Sequence, residues 1–323
     1  DGDDVGDGSE QGDDVEDIED EDDDEDEAKR RVRKTKSQRG CTAAVRLQEP
    51  FQPNASPMER QRRFLAFNEL GSLVVGEQDG ESVFVVEHEG TGGAQRRQII
   101  NNSHNCTMGS LCKFGFAAAS RDCVVFHTTH TRHQQHTTAA AAAAGLSAAL
   151  TEAQQRQQES GDDDTPVCDW VRELPEDEAV LGLAASSTGV CVATSRAFLR
   201  LFSLTGMQRV VLAVPGSHVC VVARDAAFVE VYQEACTGAY RFFCFTVAAS
   251  GTAHVCYDGS LPLGAGESLL WAGLSDALAL AVLGSRGMLL MRIEGSKAAL
   301  WMPMLDFAQL AGRKRGALAH WMV

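Results

Sequence analysis

The sequence has no closely spaced pair of cysteines: its 10 cysteines are scattered, and no two of them form a Cys-x-x-Cys unit. Structural zinc sites and thioredoxin-like redox motifs depend on thiolates held close together, so the spacing argues against both. Cys191, Cys220 and Cys244 instead lie among valine and phenylalanine residues. We predict that they are small apolar core residues of a protein kept in a reducing compartment.

Sequence motifs of the common enzyme classes are also missing. The chain contains no Gly-x-Ser-x-Gly nucleophile elbow, no His-Glu-x-x-His helix and no Gly-x-x-x-x-Gly-Lys phosphate loop. We therefore predict no catalytic residues, no cofactor and no metal centre, and a protein that is not an enzyme. The longest mostly apolar stretch, residues 269–284, is shorter than a bilayer requires and contains Asp276, so it predicts two strands and no membrane contact.

Positive charge is absent from the first 27 residues, which carry 18 acidic side chains of a chain whose net charge is −16. Such a segment repels itself and has little apolar surface to bury, so residues 1–45 are predicted to be a disordered linker, first acidic and then basic. The basic part has the composition of a nuclear import signal; a plain solvated linker and a direct DNA contact are the alternatives. The candidate import residues are Lys29, Arg30, Arg31, Arg33, Lys34 and Lys36. Because the first residue is aspartate rather than methionine, we expect the chain to be part of a longer protein.

Short strand-like segments dominate the rest of the sequence. The clearest unit has predicted strands at 179–185, 190–194, 197–204 and 208–214, separated by Ser-, Thr- and Gly-rich turns. Two similar units follow, and the last strands of the three lie near Val211, Cys256 and Trp301, in steps of 45 residues. Weaker units span about 63–100 and 110–173. The repeat predicts an all-β fold, a β-propeller over residues 46–323, rather than a β-sandwich. We expect about six blades, the sixth beginning at 317–323 and truncated there.

One predicted unit is interrupted by a low-complexity insertion, residues 127–165. It contains four histidines in steps of three, then an alanine run and a glutamine-rich stretch. The histidines would bind a metal only on one face of a helix, and their spacing drifts around a helix with no carboxylate second shell. Compositional drift within an exposed loop is the favoured interpretation, with a metal site as the alternative.

Two long motifs carry a resemblance to a known family. Residues 50–57 and 63–71, with 170–178, 189–195 and 198–208, resemble the second propeller of the replisome adaptor family of the WD-repeat and HMG-box DNA-binding protein (chromosome-transmission-fidelity type). The motif positions are Pro50, Phe51, Pro53, Phe64, Trp170, Leu174, Pro175, Phe198, Leu199, Arg200, Leu201 and Phe202. Most are apolar, which favours a role in blade packing and turn geometry; an oligomer surface is the alternative.

The resemblance implies a function in DNA replication. Members of that family are nuclear scaffolds that trimerise through the second propeller. They join the GINS subunits of the replicative helicase to DNA polymerase alpha–primase, and they contact chromatin and DNA indirectly. Their clients bind a helical extension that this sequence lacks, so no client-binding residue is predicted here. A propeller scaffold of another nuclear chromatin or RNA-processing complex is the alternative function.

Overall fold

The computed structural model describes residues 46–57, 62–89, 95–129, 169–248, 250–293 and 300–311. The chain divides into two units, Asp1–Val45 and Arg46–Val323, and all of the described residues belong to the second. The candidate import residues, most of the insertion 127–165 and the expected start of a sixth blade at 317–323 lie outside the described residues. His127 is described, and it lies in a strand where its backbone pairs with Phe116.

Twenty strands in the described part of the chain form five four-stranded antiparallel sheets, each with its strands in sequence order. Blade 1 contains β1 (Arg63–Asn68), β2 (Gly71–Gln78), β3 (Glu81–Glu89) and β4 (Gln95–Asn101). Blade 2 contains β5 (Met108–Cys112), β6 (Gly115–Ala119), β7 (Cys123–Thr128) and β8 (Trp170–Glu173). Blade 3 contains β9 (Val180–Ala185), β10 (Val190–Thr194), β11 (Phe198–Phe202) and β12 (Gln208–Ala213). Blade 4 contains β13 (Ser217–Arg224), β14 (Ala227–Gln233), β15 (Tyr240–Val247) and β16 (Ala253–Ser260). Blade 5 contains β17 (Leu269–Leu274), β18 (Leu280–Gly284), β19 (Met288–Arg292) and β20 (Trp301–Asp306), followed by the short helix α1 (Phe307–Ala311).

The blades are arranged as a propeller around their first strands. Each first strand contacts the next, in the order β1, β5, β9, β13 and β17. Four apolar clusters fill the spaces between successive blades, because alternate residues of a strand point to opposite faces and both faces are covered. All five residues of β6 and of β10 are therefore buried. This is why the middle strands have continuous apolar sequences rather than an alternating pattern.

The predicted propeller is confirmed, and in blade 3 most strand ends agree with the prediction to within one residue. Cys191, Cys220 and Cys244 are at most 1% exposed, as expected of core residues. The sequence predicts the last strand of blade 5 at 298–302, whereas β20 continues from Trp301 to Asp306. The cause is Pro303, which lacks an N–H but is tolerated because β20 is the outermost strand of its blade.

In the part of the chain that the structure describes, no helix is long and apolar enough to cross a membrane.

Candidate binding site at the channel mouth

Residues 46–57, which we call the strap, contact the first strand of every blade. Pro50 and Pro53 restrict both their own backbone and that of the residues before them, so this segment is extended rather than helical. The Phe51 amide donates to the carbonyl of Val219 in β13 at 2.9 Å. The strap thus contacts β13 through its main chain and the other first strands mainly through its side chains.

Two strap glutamines, four residues apart, each bind one backbone residue through both of its polar groups. Gln52 Nε2 donates to the Leu183 carbonyl at 2.6 Å, and the Leu183 amide donates to Gln52 Oε1 at 3.1 Å. Gln48 makes the same pair of bonds with Leu269, at 2.8 and 2.9 Å. β9 and β17 are the innermost strands of their blades and line the central channel of the propeller. Their inner edges have no neighbouring strand, so the side-chain amides of Gln52 and Gln48 supply the hydrogen bonds that such a strand would make.

The end of the strap joins blade 5 to blade 1, the two ends of the series. The Trp271 indole of β17 donates to Asn54 Oδ1 at 2.6 Å. Two residues later the Ser56 amide donates to the carbonyl of Phe64 in β1 at 2.9 Å, and the Phe64 amide donates to Ser56 Oγ at 2.8 Å. These three bonds connect β17 to β1 through three residues of the strap.

A cavity of about 300 Å³ opens beside the strap. Its base is formed by Gln52, Pro53 and Asn54, and its walls are formed by the carboxyl ends of all five first strands and the turns that follow them. We call the end of the channel at these turns the mouth. It is a concave site to which every blade contributes.

A network of charged groups spans the mouth. The Arg224 guanidinium, at the end of β13, lies 3.0 Å from a carboxylate oxygen of Glu69 in blade 1 and 2.5 Å from one of Asp276 in blade 5. It also donates to the Leu274 carbonyl at 3.3 Å. Asp225 and Lys113 are the other charged residues that line the cavity, and Asp276 lies outside the lining, so the mouth has three carboxylates and two cations in all.

Backbone carbonyls at the mouth accept hydrogen bonds from side chains. Asn68 Nδ2 donates to the Leu111 carbonyl at 3.4 Å, which joins blades 1 and 2. Ser187 Oγ donates to the Asp225 carbonyl at 2.8 Å, which joins blades 3 and 4. With the bonds made by Gln52 and Arg224, these contacts show that backbone carbonyl oxygens line the wall of the cavity. Side chains of the protein donate hydrogen bonds to these oxygens.

A second polar pair is buried between blades 3 and 4. His218 Nδ1 lies 2.7 Å from Glu230 Oε1, and both side chains are at most 1% exposed. Burial raises the pKa of Glu230, and the neighbouring imidazole opposes this rise. Gly182 makes room for the ring, since a Cβ at that position would lie 2.3 Å from His218 Nε2. Both side chains are buried, so the pair lies in the interior between the two blades.

The family-motif residues do not meet at one site. Pro50, Phe51 and Pro53 lie in the strap, and Phe64 lies in β1, where it is 41% exposed and bonded to the strap. Leu174 and Pro175 follow β8, where the Leu174 amide donates to the Asp122 carbonyl at 2.8 Å. Phe198, Leu199, Arg200, Leu201 and Phe202 form β11.

Trp170 and β11 belong to one packing unit between blades 2 and 3. The Trp170 ring centroid lies 5.9 Å from that of Phe126 and 5.6 Å from that of Phe202. Its indole N–H donates to the Leu204 carbonyl, and Gly206 passes so close that a Cβ there would lie 2.7 Å from the ring. Trp170 and Phe202 are buried in this unit, and the role of the motif positions stays a prediction.

Arg200, the charged member of the β11 motif, binds Glu178 through two nitrogens, at 2.9 and 2.5 Å. Glu178 is buried, and the hydrogen bonds from Arg200 lower its pKa. The pair ties the loop after β8 to β11.

The sequence did not identify the strap glutamines or the charged mouth. Gln52 lies within the 50–57 motif and Gln48 lies just before it, but neither has a periodicity or spacing that predicts its hydrogen-bond partner. Arg224 and Glu69 are distant in sequence, and no spacing rule connects them.

Among the described residues, no group of three or more His, Cys, Asp or Glu side chains is placed to hold a metal ion. Of the histidine series, only His127 is described, with Nδ1 3.4 Å from a carboxylate oxygen of Asp169.

Comparisons with known proteins agree with the propeller assignment. The family model described as "Minichromosome loss protein, Mcl1, middle region" matches residues 49–323. The Mus musculus WD repeat and HMG-box DNA-binding protein 1 is 23% identical over 241 residues, which are 71% of this chain and 18% of that protein. The Arabidopsis thaliana Protein ENHANCER OF LHP1 1 is 24% identical over 294 residues, 88% of this chain and 27% of that protein. The chain thus spans less than a third of either relative.

Two solved structures resemble this chain, with lower sequence identity than the relatives above and with low TM-scores. The crystal structure of HIRA(644-1017) has a TM-score of 0.38 at 13% identity, over 81% of this chain and 59% of that one. The N-terminal domain of Nup159 has a TM-score of 0.39 at 10% identity, over 80% of this chain and 71% of that one.

Proposed function

Because the chain belongs to the family of the Mcl1 middle region, we propose that it is the propeller of a nuclear, non-enzymatic scaffold in DNA replication. The scaffold links the GINS subunits of the replicative helicase to DNA polymerase alpha–primase. In this proposal the propeller forms a homotrimer, the clients bind a helical extension beyond it, and contact with chromatin and DNA is indirect.

The observation that carries this proposal is the extent of the family match. Residues 49–323 include most of the strap and all five described blades, so the match covers far more than one repeat. The name of the mouse relative describes a DNA-binding protein with WD repeats, which agrees with a function at DNA. A propeller fold by itself specifies no activity, so the family match rather than the fold supports the scaffold function.

An exposed apolar surface on blade 5 supports self-association through the propeller. The large apolar side chains on or beside its outer strands that are at least 40% exposed are Ile293, Leu300, Met302, Met304 and Leu305. Exposed apolar side chains that lie close together in sequence on one blade are candidates for a protein–protein contact. We assign this surface to the contact between copies of the propeller.

The partner proposal is tested with the protein in its full natural length. The tagged protein is captured from nuclei in S phase, and the bound proteins are identified by mass spectrometry. We expect helicase and polymerase alpha–primase subunits. Recovery of another chromatin or RNA-processing complex without them would overturn the replication function and leave only the family assignment.

The trimer is tested separately by light scattering after gel filtration. We expect a mass three times that of the chain, and a monomer when Met302 and Met304 are both replaced by glutamate. The matched control introduces glutamate at Val255, which is 63% exposed on the outer strand of blade 4. This variant should remain a trimer. A monomeric native protein, or a trimer that survives the paired substitution, contradicts the assignment of this surface.

The import segment is tested by replacing Lys29, Arg30 and Arg31 with glutamine in a fluorescent fusion. Loss of nuclear signal is expected. Unchanged nuclear signal would favour the plain-linker interpretation of this segment.

A further inference from the structure

We propose that the cavity at the channel mouth is a binding site for an arginine side chain of an extended peptide from a partner protein. The residues that line this site differ from the apolar residues of the blade 5 surface. It therefore adds a recognition site to the proposed scaffold and does not depend on the scaffold's partners.

The cavity has the size of a site for one long side chain. A volume of about 300 Å³ is at the lower end of the range of ligand pockets. Gln52, Pro53 and Asn54 of the strap line it together with the carboxyl ends of the five first strands. We place the ligand at the mouth, with one side chain directed into the cavity.

The wall of the cavity selects a donor-rich ligand. Carbonyl oxygens of Leu111, Leu274 and Gly109 all accept hydrogen bonds from side chains of other blades or of the strap. Each carbonyl has two lone pairs, so it can accept a second hydrogen bond. A guanidinium has five N–H donors and no acceptor, which suits such a wall better than a carboxylate or phosphate does.

The charge at the mouth favours a cation. Among the charged residues that line the cavity, Glu69 and Asp225 are acidic, and Arg224 and Lys113 are basic. Asp276 lies outside the lining and adds a third carboxylate through its contact with Arg224. Both carboxylates bound to Arg224 remain accessible: the Glu69 side chain is 53% exposed and that of Asp276 is 95% exposed. They can bind a second guanidinium without first being uncovered.

Arg224 shows how the mouth holds this chemical group. Its guanidinium contacts Glu69, Asp276 and the Leu274 carbonyl, a combination of two carboxylates and one backbone oxygen. We infer that a peptide arginine is bound by the same kind of combination, with Asp225 as the third carboxylate. Planar, forked donors match carboxylates in pairs, so arginine is favoured over lysine.

Binding is measured with the peptide acetyl-Ala-Arg-Ala-amide as the probe. The Trp271 indole N–H lines the cavity and is bonded to Asn54, so its nuclear magnetic resonance signal reports on ligand entry. We expect a saturable shift of this signal with a dissociation constant of about 1 mM or tighter. The peptide with glutamate in place of arginine should produce no shift over the same concentrations.

Variants distinguish the mouth from general surface charge. Glu69→Gln with Asp225→Asn removes two carboxylates and should weaken binding by about tenfold or more. The matched control is Glu77→Gln with Asp79→Asn, at the turn between β2 and β3 at the other end of the β2 strand from Glu69. Asp79 has a φ of 55°, close to the 50° of Asp225, so the backbone conformations are alike. The control should bind the arginine peptide with unchanged affinity.

Two results would overturn the proposal. The first is equal or tighter binding of the glutamate peptide, or no saturable shift with either peptide. The second is unchanged affinity in the Glu69→Gln, Asp225→Asn variant when its thermal midpoint shows that it is folded. Neither result bears on capture of replication proteins or on the trimer, so failure here leaves the proposed function untouched.

Discussion

Replacing Gln52 with alanine tests whether the strap holds the blades together. The change removes three hydrogen bonds: two from Nε2, to the carbonyls of Leu183 and Gly109, and one from the Leu183 amide to Oε1. Each contributes about 1 kcal/mol net, and a buried backbone group left unpaired costs about 1–3 kcal/mol. Because Gln52 is only partly buried and water can replace some bonds, we expect a loss of about 2–4 kcal/mol in the free energy of unfolding.

The loss is measured by urea denaturation and by thermal unfolding followed by circular dichroism. At about 2–4 °C per kcal/mol for a domain of this size, the midpoint should fall by about 4–16 °C. The matched control is Gln78→Ala at the exposed end of β2, which should change stability by less than about 0.5 kcal/mol. Equal stability of the two variants would refute a stabilising role for the strap.

Gln52→Glu gives a second, independent signature. It keeps the shape of the side chain but places a carboxylate against the carbonyl oxygens of Leu183 and Gly109. The charged form is disfavoured there, so the pKa of the introduced carboxyl is raised in the folded protein. The folded state then binds more protons than the unfolded state, and stability relative to the native sequence should increase as the pH falls toward about 4. A pH-independent difference would contradict the contacts described.

Three further predictions concern the blades. Arg200→Leu leaves the buried Glu178 carboxylate without its cation and should lower the free energy of unfolding, measured by urea denaturation at neutral pH, by about 3 kcal/mol. The loss should become smaller on acidification, because the pKa of Glu178 is low and the pair stops contributing once this carboxylate is protonated. Gly206→Ala should be destabilising by at least about 1 kcal/mol more than Gly80→Ala, since both glycines have positive φ but only the first has the ring of a tryptophan where Cβ would lie. Glu230→Gln should stabilise the protein increasingly as the pH rises above about 4, because burial raises the pKa of this carboxyl and the native fold loses stability as the pH approaches that pKa.

Each of these has its own control. Arg196 forms an exposed pair with Asp177, so Arg196→Leu should cost less than about 1 kcal/mol; an equal cost would show that burial of the Arg200 pair is irrelevant. Similar losses for the two glycine variants would mean that backbone conformation alone matters. A Glu230→Gln effect that is constant with pH would show that this carboxyl stays ionised in the fold.

The sequence was sufficient to predict the blades because each strand carries its own signal. In β10 and β11, β-branched and aromatic residues are bounded by turn residues, and repetition in steps of 45 residues specified a propeller. The prediction was wrong at β20 because Pro303 weakens the strand signal, and an edge strand has less need of that missing N–H. A pattern formed by residues that are neighbours in sequence therefore predicts the blades more accurately than it predicts the ends of their outermost strands.

The mouth and the strap were beyond this kind of prediction. Gln52 has its role through Leu183, and Arg224 through Glu69, across long stretches of sequence that the blades bring together. A segment with neither strand nor helix periodicity gives no local sign of what it will bind. The propeller must be assembled before the partners of these side chains are defined.

The strap has a consequence for the order in which the protein forms. Its residues precede every blade in the sequence, and Gln48 bonds to Leu269, 221 positions later. A ribosome releases the amino-terminal segment first, yet the acceptor for Gln48 does not exist until blade 5 has been made. Docking of the strap is therefore a late, high-contact-order event, of the kind that slows folding. Within the propeller, the strap is synthesised before any blade but docks last, and a nascent chain without blade 5 leaves Gln48 without its partner.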